Sequence, residues 1–276
     1  MSVFVILIVL AAALLHAVWN AMLKGAVDRT VALGLVALGH VIPGVVLMAV
    51  LPAPGWAAAP FIVASTVIHW GYYLFLNVSY RLGDLSLVYP VARGLAPVLI
   101  AMGATVWAHE YLGLFAWTGI LTVTAGILVL VVHRHGPGWW PTAAALTTTV
   151  FIAAYSVVDG IGIRLAVSPL SYIAWLFAAE FFIVAFVLIA RTARVRATAI
   201  ATLGVGFAGG LLSALAYGLA LYAKTLAPLG MVSALRETSV VFAALIGVVW
   251  FGERPIVRRV LAAAIVAAGI AVLALA

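Results

Sequence analysis

Long apolar runs alternate along the whole chain with short breaks made of charged residues, proline and glycine. The runs predict helices over about 2–23, 31–51, 58–80, 85–107, 112–132, 142–163, 169–190, 199–223, 230–251 and 256–275. Each is close to the ~20 residues that cross ~30 Å of hydrocarbon. The loop His133-Arg134-His135-Gly136-Pro137-Gly138 divides the runs into two sets of five. An odd number of helices per set makes the second set enter the membrane the opposite way. The expected fold is therefore all-α and integral to the membrane: ten transmembrane helices built as two inverted five-helix repeats, over 1–135 and 136–276.

The repeat is also visible in the residues. Val88-Tyr89-Pro90-Val91-Ala92-Arg93-Gly94-Leu95-Ala96-Pro97 runs on to Trp107-Ala108-His109-Glu110. Met231-Val232-Ser233-Ala234-Leu235-Arg236-Glu237-Thr238-Ser239-Val240 runs on to Trp250-Phe251-Gly252-Glu253. The arginines are 236 − 93 = 143 positions apart, as are Trp107 and Trp250, and Glu110 and Glu253.

Composition narrows the class. Hydrophobic residues make up 67% and charged residues 8% of the 276, with mean hydropathy +1.31. Soluble domains hold about 45–50% apolar and ~25% charged residues. No soluble domain fits beside ten helices. The formal charge of +7 does not indicate nucleic-acid binding, because the basic residues sit in short loops between apolar runs. Odd-numbered loops carry Lys24, Arg29, Arg81, Arg134, Arg191, Arg194, Arg196, Arg254, Arg258 and Arg259; even-numbered loops carry Arg164 and Lys224. The positive-inside rule then places odd loops in the cytoplasm and both termini outside. Residues 1–23 lack a basic leading segment and are interrupted by His16, Trp19 and Asn20, so they read as a retained first helix. Cysteine is absent, which excludes disulfides, thiolate metal sites and cysteine nucleophiles.

The duplicated segment with its acidic ends, together with Trp19-Asn20 and Lys24, and Tyr155 followed by Arg164, resembles the drug/metabolite transporter superfamily, in particular its EamA-like permeases. The resemblance spans essentially the whole chain. It implies ten helices in inverted five-helix repeats around a cavity lined by helices 1, 3, 4, 6, 8 and 9, and secondary transport of a small organic molecule. It also implies cytoplasmic termini and basic residues in the second loop, whereas Leu51–Ala57 has none. Loop charge and family habit thus oppose each other on orientation.

Polar residues inside the apolar runs are the candidates for chemistry. Arg93 lies about 12 Å into its helix at 1.5 Å per residue. An arginine there costs about 2.5–3.5 kcal/mol on insertion scales, so something must offset it. It either presents its donor fork to an anionic substrate group or pairs with a buried acid such as Glu237 or Glu180. Pro90 and Pro97 flank it and predict a kink. Adjacent Arg236 and Glu237 point about 100° apart, so one faces the cavity and the other bridges to helix four. Glu237 either accepts a substrate ammonium, carries a coupling proton, or only neutralises Arg236. Glu110 and Glu253 close helices four and nine and read as caps of helix N-termini.

His16 and Asp159 are 143 apart as well, and either relay protons or satisfy interhelical hydrogen bonds. His40 and Glu180, mid-helix on helices two and seven, form an ion pair or a proton site. His69, Trp70, Tyr72, Tyr73 and Asn77 on helix three, with Ser213, Tyr217 and Tyr222 on helix eight, line a cavity or pack. Trp19, Asn20 and Tyr89 join Arg93, Arg236, Glu237, Tyr73 and Tyr217 as substrate-binding candidates; His16, Asp159, Glu180 and Glu237 are the proton-coupling candidates. Gly206 and Gly210 give helix eight a small-residue face for close packing.

These features point to a permease that moves a small anionic or zwitterionic metabolite across a bacterial inner membrane by alternating access, driven by protons or by exchange. It would be multi-pass, a monomer or a homodimer, with a small-molecule substrate and the lipid bilayer as partners, no nucleic acid, no catalytic residue, no metal and no cofactor. A flippase or exporter of lipid-linked or amphipathic molecules shares the same features. An integral-membrane enzyme would need paired acids or a metal cluster, and the chain's seven acids form neither.

Overall fold

A computed structural model describes residues 1–23, 28–82, 85–131, 139–252 and 256–276. The side chains of Arg29, Asn77, Tyr80, Leu85, Ser86, Leu87, Tyr89 and Phe251 lie outside the description, as do Lys24, Arg134, Glu253 and Arg254 entirely. Helix is the regular structure of the described residues, with no strand among them.

Seven elements follow the predicted runs: α1 (Val3–Leu23), α2 (Arg29–Val50), α3 (Ala59–Leu82), α6 (Leu114–Leu128), α7 (Trp139–Leu165), α11 (Ile200–Ala223) and α14 (Ile256–Leu275). Three predicted single helices are each broken in two. The fourth span is α4 (Leu85–Gly94) and α5 (Ala96–Trp107), the seventh α8 (Pro169–Ala178) and α9 (Phe181–Ala190), and the ninth α12 (Leu229–Arg236) and α13 (Thr238–Phe251). A short helix, α10 (Thr192–Ala197), occupies the basic loop after α9. By length and hydropathy, nine spans among the described residues can cross a membrane; α6, at 15 residues, is the shorter tenth apolar helix.

Local chemistry sets the starts. Asp28 caps α2 by accepting the Thr30 and Val31 N–H groups at 2.9 and 3.1 Å. Ser168 caps α8 through the Ser171 N–H at 3.2 Å, with Pro169 pre-set at the first helical position.

Glycines let pairs of helices touch backbone to backbone. A Cβ built on Gly39 of α2 would lie 2.4 Å from the Gly210 carbonyl carbon of α11. Short α6 is held along α14 in the same way, with Gly126 and Gly269 each facing backbone or valine atoms of the other helix at under 3 Å from a built Cβ.

Val3, Leu7, Val46, Val63, Val67, Leu188 and Ile189 are exposed, as a lipid-facing surface requires. Exposed Trp56, Trp107 and Tyr111 mark one end of the bundle, and Trp139, Trp140 and Trp250 mark the other, in the manner of interfacial aromatic belts.

The broken spans four and nine meet where α5 lies on α12. Gly230 allows this, because a Cβ there would sit 2.7 Å from the Ala101 Cβ. Among the described residues, α4 and α13 do not pack on one another as α5 and α12 do.

Candidate functional site

The two inner breaks place the two arginines. Span four breaks at Leu95, with Pro97 in the first turn of α5; span nine breaks at Glu237, without proline. Arg93 sits in the last turn of α4 and Arg236 is the last residue of α12. Each guanidinium therefore lies at a helix C-terminus, where unsatisfied carbonyls and the helix dipole favour a cation.

Arg93, Arg236 and Glu237 are 7%, 9% and 4% exposed. Glu237 faces Arg93: Nε donates to Oε2 at 3.0 Å and the second nitrogen meets Oε1 at 2.8 Å. This two-pronged pair ties the breaks of spans four and nine together. Of the alternatives open from sequence, Arg93 adopts the ion pair, and Glu237 bridges to helix four rather than turning to Arg236.

Among the described residues no carboxylate lies within ion-pair distance of Arg236, and its buried Nε has no hydrogen-bond partner. Its guanidinium lies over the Tyr217 ring, 5.1 Å from the centroid. A cation–π contact contributes about 0.5–2 kcal/mol. The dipole contributes about 0.3–1 kcal/mol more. Against about 2.5–3.5 kcal/mol for a mid-membrane arginine, Arg236 is the less compensated of the two.

Aromatic residues surround this charge. His69 stacks on Tyr155 with centroids 4.1 Å apart, and both rings lie edge-on to Tyr217, at 6.3 and 6.4 Å. Tyr72 and Tyr73 flank His69 at 6.4 and 6.5 Å. On the far side, His16 meets Trp19 edge to face at 5.2 Å, within the fields of both Arg93 and Arg236. Trp19 keeps a buried Nε1–H without a partner, while Asn20 turns its amide back to the His16 carbonyl at 2.7 Å. Tyr89 is on α4, but its side chain and that of Asn77 are outside the described residues.

Asp159 is fully buried on α7 and accepts two phenols, Tyr172 at 2.9 Å and Tyr217 at 2.5 Å. It makes no hydrogen bond to His16, its partner by chain offset; that offset relates positions in two halves, not contacts. Glu180 meets His40 Nδ1 at 3.1 Å, away from the arginines, at the break between α8 and α9.

At the α5–α12 end, Glu110 takes the backbone N–H of Leu229 on Oε2 at 2.7 Å and Arg164 on Oε1 at 2.6 Å. The helix it caps is α12 of the other half, not the one that follows it in the chain. Arg164 also donates to the Lys224 carbonyl at 2.8 Å and the Ala227 carbonyl at 3.0 Å, and buried Lys224 donates to the Ser156 carbonyl at 2.9 Å. Both even-loop cations are thus held by the protein itself.

Sequence reading did not find Tyr172 or Ser156. Tyr172 lies only 13 positions beyond Asp159 across the α7–α8 turn, a spacing that nothing in the local pattern distinguishes.

Broken membrane helices that converge on buried charges define a multi-pass membrane protein of the transporter type. The model of the EamA-like transporter family matches residues 139–275. A solved crystal structure of a protein superposes with TM-score 0.77, covering 100% of this chain and 98% of that chain at 20% identity, a likeness of fold alone. No curated protein matches the chain. Residues 139–275, the second half of the chain, belong to the EamA-like transporter family, within the drug/metabolite transporter superfamily.

Proposed function

We propose that the protein is a secondary transporter, not an enzyme, that carries a small anionic or zwitterionic metabolite across the bacterial cytoplasmic membrane by alternating access between two inverted five-helix halves. One observation carries the substrate charge: Arg236 is buried at a helix break with no described carboxylate within ion-pair distance and a donor left unpaired. Arg93 is already answered by Glu237, so the centre keeps one cation in surplus. An anionic group on Arg236 supplies the missing compensation, and Trp19 Nε1 offers a second donor.

The tight α5–α12 end, locked by Glu110 and Arg164, is read as the closed outer gate. The opposite end carries the basic loops, so the conformation opens toward the cytoplasm. Glu237 is the coupling candidate that fits this centre best, since protonation would release Arg93 and loosen both breaks together. Asp159 is committed to two phenols and Glu180 to His40.

The test is thermal stability of the detergent-purified protein with organic acids, phosphonates, amino acids and amines. A ligand bound only by the folded form stabilises it by about 2.7 kcal/mol at a hundred times Kd. Stabilisation by an anion or zwitterion that disappears in Arg236→Gln supports the reading. Stabilisation by cations or lipids alone overturns it.

A further inference from the structure

Short α6 leaves part of α14 uncovered. Gly126 of α6 faces Val266 of α14, and α6 ends two residues later at Leu128. Because α14 begins ten residues before Val266, at Ile256, it runs about 12 Å past the end of α6. The chain does not fill this overhang. Val129 to Val131 fold into a tight turn, with the Leu130 and Val131 N–H groups returning to the Ile127 and Leu128 carbonyls at 2.9 and 3.0 Å. What remains is a groove of about 560 Å³ lined by Leu128, Val129, Val131, Val257, Arg258 and Leu261. Val257 and Leu261 are 80% and 52% exposed, so the groove opens on the outside of the bundle and not into its interior.

Arg258 is the one polar side chain in this lining. It is exposed, and among the described residues it has no hydrogen bond or ion pair. Its neighbour Arg259, by contrast, donates to the Ala244 carbonyl at 3.4 Å. An arginine at the end of a membrane span is ordinarily a topology signal facing water. Depth and register set Arg258 apart from that case. It lies about 3 Å from the start of α14 and Leu261 about 7.5 Å, which puts the charge at headgroup level and the apolar wall at the level of the first acyl methylenes. Val257 and Leu261 are four residues apart and Arg258 and Leu261 three, so all three share one face of α14. This is also the end that exposed Trp139, Trp140 and Trp250 mark.

We propose that the groove between the end of α6 and the start of α14 is a binding site for one anionic phospholipid, its headgroup phosphate on Arg258 and an acyl chain along Val257 and Leu261. Charge selects the lipid class. A phosphate on the guanidinium suits any phospholipid, but the loops at this end also carry Arg191, Arg194, Arg196 and Arg259. Their field repels the ammonium of a zwitterionic headgroup and favours one with net negative charge. The same field disfavours a second copy of this chain, since a two-fold contact would set one Arg258 against another. The site lies apart from Arg236 and is independent of the substrate reading.

The experiment is native mass spectrometry of the delipidated, full-length protein in mild detergent, titrated with phosphatidylglycerol, with phosphatidylcholine of the same acyl chains, and with glycerol 3-phosphate. Masses report lipid number and oligomeric state together. The expected result is one phosphatidylglycerol per chain, bound about fivefold or more tighter than phosphatidylcholine, and no binding of glycerol 3-phosphate at the same concentration. Arg258→Gln removes the preference and Arg258→Lys keeps it, while Arg194→Gln, an exposed arginine away from the groove, leaves it unchanged. Leu261→Gln weakens both lipids. Equal affinity for the two lipids, or a preference that survives Arg258→Gln, overturns the site. Glycerol 3-phosphate binding as tightly as the lipid overturns the role of the apolar wall. A lipid-free dimer that Leu261→Gln dissociates assigns the groove to a second copy of the chain instead.

Discussion

The Glu110 carboxylate reaches across the molecule to accept the backbone N–H of Leu229 at 2.7 Å, so the residue just beyond span four caps the first helical residue of span nine. Its second oxygen holds Arg164 at 2.6 Å. An N-cap is worth about 1 kcal/mol, and a partly buried pair adds a similar amount. The latch therefore biases the closed end by about 2 kcal/mol, more than tenfold in population.

Glu110→Ala should accordingly open this end. Because the chain has no cysteine, Ser233→Cys introduces a sole thiol at a buried position of α12. A membrane-impermeant maleimide should label it at least about tenfold faster in the Glu110→Ala background. Equal labelling rates would mean that the apolar contact of Gly230 with Ala101, not the latch, holds the end closed.

The Asp159 carboxylate fastens the platform under Arg236. Hydrogen bonds to a charged group contribute about 1.5–3 kcal/mol each. Tyr217→Phe deletes one bond and keeps the ring, and should lower stability by about 1–2 kcal/mol. Asp159→Leu strands two buried phenols and should cost about 3 kcal/mol or more. Chemical denaturation in mild detergent measures both. A Tyr217→Phe variant as stable as the wild type would show that the phenol bond is not a structural tie.

The number of spans, the two arginines and the acidic ends were legible because membrane crossing imposes a length and a hydropathy on every segment. The break at Leu95 announced itself through Pro90 and Pro97. The breaks at Glu237 and at Glu180 did not, since no proline marks them and a single acid in an apolar run is equally compatible with a straight helix. Pairings were legible only as alternatives. Whether Glu237 answers Arg93 or Arg236 depends on how two helices are rotated, and periodicity in one chain segment carries no information about its neighbour's rotation. The Asp159–Tyr172–Tyr217 tie failed to show for the same reason.

One backbone conformation recurs at the same chain offset as the two arginines. His109 (φ 54) and Gly252 (φ 62) are both left-handed, and each is followed in the sequence by a glutamate; their numbers differ by the same 143. A left-handed conformation costs a non-glycine residue about 1–2 kcal/mol, partly cancelled by the entropy glycine loses on folding. His109→Gly should therefore raise stability by about 0.5 kcal/mol, and Gly252→Ala should lower it by about 1 kcal/mol. Melting temperatures that move the other way would place the strain elsewhere.

Gly39 and Gly210 make the closest backbone approach of α2 and α11, with Gly206 accommodating Leu35. A methyl group at 2.4 Å from backbone has no side chain to displace, so the helices must separate. Gly39→Ala should cost about 1–3 kcal/mol as overpacking, whereas Gly204→Ala on the same α11, with open space around a built Cβ, should be neutral or mildly stabilising. Thermal unfolding of the two variants discriminates packing from a general intolerance of alanine in these helices.

His40 and Glu180 form a buried pair in which the outer atoms, Nε2 and Oε2, find no partner. Partly satisfied buried pairs are poor stabilisers, yet removing one member leaves the other stranded at a cost of about 3–5 kcal/mol. His40→Leu should thus be strongly destabilising, and His40→Leu combined with Glu180→Leu should recover most of the loss, since an apolar pair suits the Phe177 ring that lies 4.7 Å from His40. If transport survives in the stable double variant with its pH dependence unchanged, the pair is structural. If the double variant folds and binds substrate but no longer responds to a proton gradient, Glu180 is the residue that carries the coupling proton.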